Sequence, residues 1–322
     1  MERGPDDVRL VLASEAQKRA RDGLTAEAWG EGLSLEAYLR REDRLRAVAV
    51  PRLGMRTWFL VGASDPVLSS CETFTFSSVV REDRAETWGH GYGVASVFTE
   101  PALRGRGYAT RLLDLVCQTL AAEPGAQAVV LFSDVGAAQY ARSGFVARPA
   151  FDWSWPPAPA SAPSEAAFFG EEALSWRWAS HPPPAGRFLL HPSVDSLDWF
   201  LERERIYCAE LGRPRPRACG AAAGRSLALF YAQPRDSRLW IHWLDAEDAR
   251  TTRALVTAAR IVARDAGLTE VRLWEDTDGF PFPEGLEGGT RQARTGSLPM
   301  IRPLDPRVRP EDWRRIPRAL WV

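Results

Sequence analysis

The stretch 96-SVFTEPALRGRGYATRLL-113 decides how this chain is read. A strand-forming run ends at Pro101, passes two glycines flanked by arginines, and enters a leucine-rich helical pattern without a break. Gly105 and Gly107 permit positive φ and close backbone approach. The amides that follow open a helix, where unpaired N–H groups and the helix dipole favour an anion. Arg104 and Arg106 add positive charge. The loop is therefore expected to cradle phosphate. It is neither of two common phosphate loops, because G-x-G-x-x-G needs a further glycine and G-x-x-x-x-G-K-[ST] needs a lysine.

Bulk properties narrow the classes. At 322 residues the chain has room for two domains with real cores. Its 41 basic and 42 acidic residues nearly cancel, so net charge predicts attraction to neither nucleic acid nor membranes. No segment approaches the roughly 18 apolar residues of a membrane span, and the first residues lack the apolar core of a signal peptide. Cys71, Cys117, Cys208 and Cys219 lack metal-site or redox spacing, so reduced structural thiols, no metal and a cytoplasmic location are expected. Thirteen tryptophans mostly alternate with apolar residues, which predicts core packing.

Before the glycine loop the pattern predicts a strand at 8–13, helices over 14–23 and 34–46 opened by serines, and β-rich runs at 57–63, 70–80 and 90–99. After it come a helix over 108–123, a buried-type strand at 127–132, a short helix at 136–144 and a strand from Phe145. The stretch 154–176 is proline- and alanine-rich; its early part reads as a connector or surface excursion, and the apolar residues beyond it are able to dock. Beyond it, a helix at 193–212 precedes strands at 226–233 and 238–244, a helix at 247–267 and a strand at 270–276. That order copies residues 70–132, which predicts an internal duplication. The copy lacks the loop: 244-LDAEDARTT-252 has no glycine and three acids, and would repel a phosphate.

The hexapeptide Arg104-Gly105-Arg106-Gly107-Tyr108-Ala109 resembles the R/Q-x-x-G-x-G/A loop of the Gcn5-related N-acetyltransferases (GNATs), and Tyr140 to Phe145 resembles that superfamily's Y-x-x-x-G-F. The resemblance covers about residues 8–150. A closer similarity, across both halves, is to fungal lysine N6-acetyltransferases, carried by 70-SCETF-74, 95-ASVFTEPALRGRGYA-109, 131-LFSDVGAAQYARSGF-145 and 297-SLPMI-301. These resemblances imply an α/β (α+β) GNAT fold with a mixed, mostly antiparallel sheet, followed by a degenerate GNAT-like domain. The expected limits are 1–153 for the catalytic domain, 154–186 for a connector and 187–322 for the second domain.

They also imply acetyl-CoA as cosubstrate and a small-molecule amine, foremost the side chain of free L-lysine, as acceptor in a ternary complex. Polyamines, antibiotics, protein lysines, or a non-catalytic acyl-CoA sensor are the alternatives. Cofactor contacts are expected from Val97, Phe98 and Thr99, from Arg104 through Thr110 (Arg104, Gly105, Arg106, Gly107, Tyr108, Ala109, Thr110), and from Ser133. The family places Tyr140 beside the thioester sulfur as proton donor. Only a neutral amine attacks a thioester, so a proton acceptor is needed, and this chain has no carboxylate in 90–99. Glu72, Asp134 and His90 are the candidates, with the carboxylate of Val322 as a fourth. Arg272, Arg291 and Arg294 are candidates for an acceptor carboxylate. Trp240, Trp243 and Trp274 are read as core or cleft wall, and Glu275 as facing the cleft if the halves are pseudo-symmetric.

Overall fold

The structure is a computed structural model that describes residues 8–30, 32–63, 66–83, 85–181, 183–275 and 282–321. Strand β1 (Val8–Leu12) leads to helices α1 (Glu15–Trp29) and α2 (Leu35–Leu53). Ser14 caps α1 in a reciprocal box with Gln17, Ser34 caps α2, and Gly54 stops α2 in the left-handed conformation. Next come β2 (Arg56–Gly62), β3 (Val67–Glu82), β4 (Ala85–Phe98), α3 (Tyr108–Ala121), β5 (Ala126–Ser133), the single turn α4 (Ala137–Ala141) and β6 (Val146–Ala147). Helix α3 buries Leu112, Leu113, Val116, Cys117 and Leu120 against this sheet, the apolar stripe expected from its spacing.

The chain then changes sheets. β7 (Phe151–Trp155), β8 (Ala167–Phe169) and α5 (Glu171–Ala179) belong to the second half, whereas β9 (Phe188–His191) returns to pair with β3. After α6 (Val194–Glu210) come β10 (Gly220–Ala223), β11 (Ser226–Gln233), β12 (Arg238–Asp245), α7 (Ala249–Asp265), β13 (Glu270–Glu275), β14 (Thr290–Ala293) and β15 (Leu298–Pro303). The first sheet runs β1-β2-β3-β4-β5-β15-β6, with β9 beside β3, and the second runs β14-β7-β13-β12-β11-β10-β8. In each, one parallel pair, β4 with β5 and β12 with β13, sits among antiparallel neighbours. The mixed, mostly antiparallel character and the duplication match the expectation.

The halves exchange strands. β15, late in the chain, pairs antiparallel with β5 (Met300 opposite Leu131) and with β6 (Ile301 opposite Val146). Conversely β7 fills the place between β13 and β14 in the second sheet. The chain therefore crosses the expected limits at 153 and 187 in both directions. The expected connector supplies the end of β7, all of β8 and all of α5. Phe188, Val308, Trp313, Ile316 and Leu320 build a core with Ala128 and Val130 of β5, so the last described residues pack on the first sheet. The four cysteines are free and buried. Among the described residues no helix is long and apolar enough to cross a membrane.

Because Met300 and Ile301 are fully buried between β5 and β6, truncating the exchanged strand should weaken both halves together. Ile301→Ala is expected to cost about 2–5 kcal/mol. Urea unfolding followed by tryptophan fluorescence should show one transition at lower denaturant. Two separated transitions would contradict the coupling.

Candidate active site

The site begins with an irregularity in β4. Thr73 faces Val94 and Glu72 faces Ala95, but Ser70 faces Phe98, so Ser96 and Val97 together oppose Cys71. Ser96 takes φ of 54°, a left-handed conformation that only a bulge excuses in a non-glycine residue. The bulge turns the end of β4 away from β5, and the parallel pairing stops at Val94 opposite Leu131. Past that point the strands splay and a cleft of about 320 Å3 opens.

At the end of β4 the chain makes a single turn, Pro101–Leu103, and then the glycine loop. Gly105 and Gly107 both have φ of 79°, and a β-carbon on either would touch nothing. These glycines are required by conformation rather than by crowding. No side chain caps α3, so its first amides stay available. Arg104 folds back to donate to the carbonyl of Thr99, at 3.0 Å, and Arg106 stands exposed. The corresponding turn of the second half differs in the way its acids foretold. There Asp248 accepts from the Thr251 amide at 2.7 Å, which also holds its carboxyl below the usual range. The helix start left without a side-chain cap in one half is capped by a carboxylate in the other.

Across the splay, Tyr140 on α4 packs edge-on against Phe145. Its hydroxyl has no hydrogen-bond partner among the described residues. Burial, and then the charge of Asp134, push its pKa up to about 12, so it carries its proton at neutral pH. Asp134 also lines the cleft, but its Oδ1 accepts from the amide (2.7 Å) and hydroxyl (3.2 Å) of Ser297, just before β15. It staples the exchanged strand and does not cap the helix at Gly136. Ser133 is buried and donates to the Gly136 carbonyl at 2.7 Å, shaping the same turn.

Helices α1 and α2 roof the cleft with charge. Arg21 is buried and donates to Ser70 Oγ (2.8 Å), Glu72 Oε1 (3.0 Å) and the carbonyl of Ser96 (2.7 Å), thereby clamping the bulge to β3. Arg46 holds the buried Asp22 at 2.6 Å, and Arg41 pairs with Glu42 while bonding the Tyr207 hydroxyl. Burial raises the pKa of Asp22 and of Glu42 above the ordinary carboxylate range. Glu72 Oε2 has no partner among the described residues and is the unspent acceptor here.

Of the residues expected from sequence, Val97, Glu72, Asp134 and Tyr140 meet in one cleft. Phe98, Thr99 and residues 104–110 continue from it along the end of β4 into α3. His90 does not join them. It lies exposed opposite Ser77, in the far arm of the β3–β4 hairpin, seven residues from Val97 and thus about 23 Å along the strand. The second-half arginines are also elsewhere: Arg291 pairs with the buried Glu275 at 2.6 Å, Arg272 with Glu270, and Arg294 lies over Trp274 and bonds the Ser297 carbonyl. Glu275 is thereby spent as well. Trp240, Trp243 and Trp274 are buried. Sequence reading missed Arg21, Arg41, Glu42 and Arg46. The available signal was charge at helical spacing on the face of α1 and α2 that should pack. The Val322 carboxylate lies outside the described residues.

Comparison with known proteins agrees with this geometry. The Acetyltransferase (GNAT) family model matches residues 76–145, and the LYC1 GNAT-like C-terminal domain model matches residues 171–302. Each half of the chain thus matches a GNAT-type family model over part of its length. Among the curated proteins none matches it in sequence. Among solved structures it is similar to a GCN5-related N-acetyltransferase from Kribbella flavida (16% identity, 93% of this chain and 72% of the other, TM-score 0.57). A putative acetyltransferase from Pyrococcus horikoshii (9%, 98% and 96%, 0.57) and Eis1 from Mycobacterium abscessus (14%, 92% and 74%, 0.56) are also similar. These likenesses show a tandem GNAT fold. GNAT enzymes use acetyl-CoA as cosubstrate, and the open splay, the uncapped α3 and the unstrained room at Gly105 and Gly107 suit a pantetheine arm and its pyrophosphate.

Replacing Gly107 by valine forces a β-branched residue to φ of 79°, at about 1–3 kcal/mol. With nothing nearby to clash, the fold should persist while acetyl-CoA affinity falls at least about 10-fold, as calorimetry would measure. Unchanged affinity would place the nucleotide somewhere else.

Proposed function

We propose that this chain transfers acetyl from acetyl-CoA to the side-chain amine of a small amino acid, foremost free L-lysine, by direct attack in a ternary complex. The observation that carries the choice of acceptor is the mixed charge of the cleft lining, with Glu72 and Glu42 beside Arg21, Arg41 and Arg46. A zwitterionic acceptor needs both signs: a carboxylate for its ammonium group and guanidinium groups for its own carboxylate. At about 320 Å3 the cleft lies at the small end of ligand sites, which suits a metabolite better than a folded protein surface.

The chemistry follows from the parts. The amine arrives protonated, its reference pKa being about 10.4, and loses a proton to Glu72 Oε2 directly or through water. Its lone pair attacks the thioester carbon, and the oxygen gains charge beside the amides of the β4 bulge at Val97 and Phe98. As the C–N bond forms and the C–S bond breaks, the leaving sulfur takes a proton from Tyr140, and the second proton shed by the new amide nitrogen returns through water to the tyrosinate.

The assay is free-thiol release from acetyl-CoA with a panel of amines. Turnover with L-lysine and none with N6-blocked lysine is the expected result. Activity confined to polyamines or aminoglycosides would replace the acceptor, and no turnover with any amine would favour an acyl-CoA sensor. Tyr140→Phe should lower kcat about 100-fold with little change in acetyl-CoA affinity.

The pH profile gives a separate check. The wild-type rate should climb as the amine deprotonates and show no falling limb below about pH 10, because Tyr140 stays protonated to about 12. A limb descending between pH 8 and 9 would remove Tyr140 as the donor.

A further inference from the structure

The second half contains its own version of the β4 bulge. Leu229 faces Trp243 while Phe230 faces Ile241, so His242 is the extra residue on β12. Parallel pairing of β12 with β13 stops at Ile241 opposite Leu273, and the strands splay as β4 and β5 do. In the first half that opening is a cleft. Here it is filled. Ile241, His242, Leu244, Leu273 and Trp274 enclose only about 10 Å3, closed on the outer side by Arg315, Pro317 and Arg318.

The fit is specific. Arg315 donates to the Leu244 carbonyl at 2.7 Å and lies over Trp243. Arg318 is buried and stacks on Trp240 at 4.1 Å and on Trp274 at 5.0 Å. Ala319 and Leu320 are fully buried. The stack continues: Arg318 is 4.6 Å from the ring of Trp321, and Arg203 is 5.2 Å from that same ring. Trp321 and Arg203 line the cleft of the first half, with Trp199 of α6 beside them.

We infer that residues 315–321 use the vacant splay of the second half as a socket and thereby present Trp321 as the wall that selects the acceptor in the first. The inference rests on the reading of that cleft as an acyl-transfer site and goes beyond it by assigning a specificity residue. A flat indole backed by two guanidinium groups leaves room for a linear alkyl amine and blocks branched, aromatic or sugar-borne ones. The same wall keeps water from the thioester. Socket and wall are one rigid element, because Leu320 and Ala319 leave no slack between Arg318 and Trp321.

The test uses the full chain and two readouts that do not depend on which amine is the natural one. Trp321→Ala should raise amine-independent acetyl-CoA hydrolysis and should raise the rate with benzylamine or kanamycin, relative to a linear ω-amino acid, each about 10-fold. Acetyl-CoA affinity should not change. Trp321→Phe should restore most of the discrimination, and Arg315→Ala, which releases the socket without touching the cleft, should reproduce part of the loss. The half-exposed Trp321 is a safe position to truncate, and thermal unfolding confirms the fold. Unchanged hydrolysis together with an unchanged amine profile in Trp321→Ala overturns the inference. So does an Arg315→Ala protein that unfolds at the wild-type temperature and keeps full discrimination. If L-lysine proves not to be a substrate, the acceptor assignment fails while both readouts still decide the role of Trp321.

Discussion

The bulge at Ser96 and Val97 is the constraint on which the site depends. One extra residue in β4 breaks the parallel ladder with β5 after Val94, and that break is the cleft. A left-handed serine is costly by itself, and Arg21 holds it there by binding the Ser96 carbonyl, Ser70 and Glu72 at once. A single buried guanidinium thus binds both sides of the distorted strand pair, neutralises Glu72, and ties α1 over the opening.

The duplication explains the form of the rest. Both halves carry the bulge, the splay and the crossover helix, yet only one has a glycine loop leading into an uncapped helix. In the other, Asp248 satisfies the helix end and residues 315–318 fill the splay. Exchange of β7 and β15 makes the two sheets interdependent, and the staple from Asp134 to Ser297 carries that dependence to the edge of the cleft beside Tyr140. The second half completes the first sheet through β15, and its Trp199 and Trp321 line part of the cleft.

Local patterns were legible where local physics decides. The α3 stripe, the loop glycines, the serine caps and the acid-for-glycine swap at 244–252 each follow from short-range spacing, and each appears where expected. His90 failed because strand length, not residue type, sets its distance from Val97. The second-half arginines do not line the cleft; Arg291 pairs with Glu275 and Arg272 with Glu270. The connector failed as a unit, since its Pro and Ala content hid a three-residue strand, β8, whose pairing with β10 is entirely long-range.

By itself the sequence determined the fold of each half, the glycine turn ahead of α3 and the tyrosine across from it, because helix periodicity, glycine φ and capping act within a few residues. Only the tertiary structure decided which strand completes which sheet, that Glu72 is bound by Arg21 through one oxygen, and that α1 and α2 bury Arg21, Arg46 and Asp22 over the cleft. Those outcomes turn on pairing and desolvation between segments far apart in the chain, and a charged residue on an amphipathic helix looks the same in sequence whether water or another charge will face it.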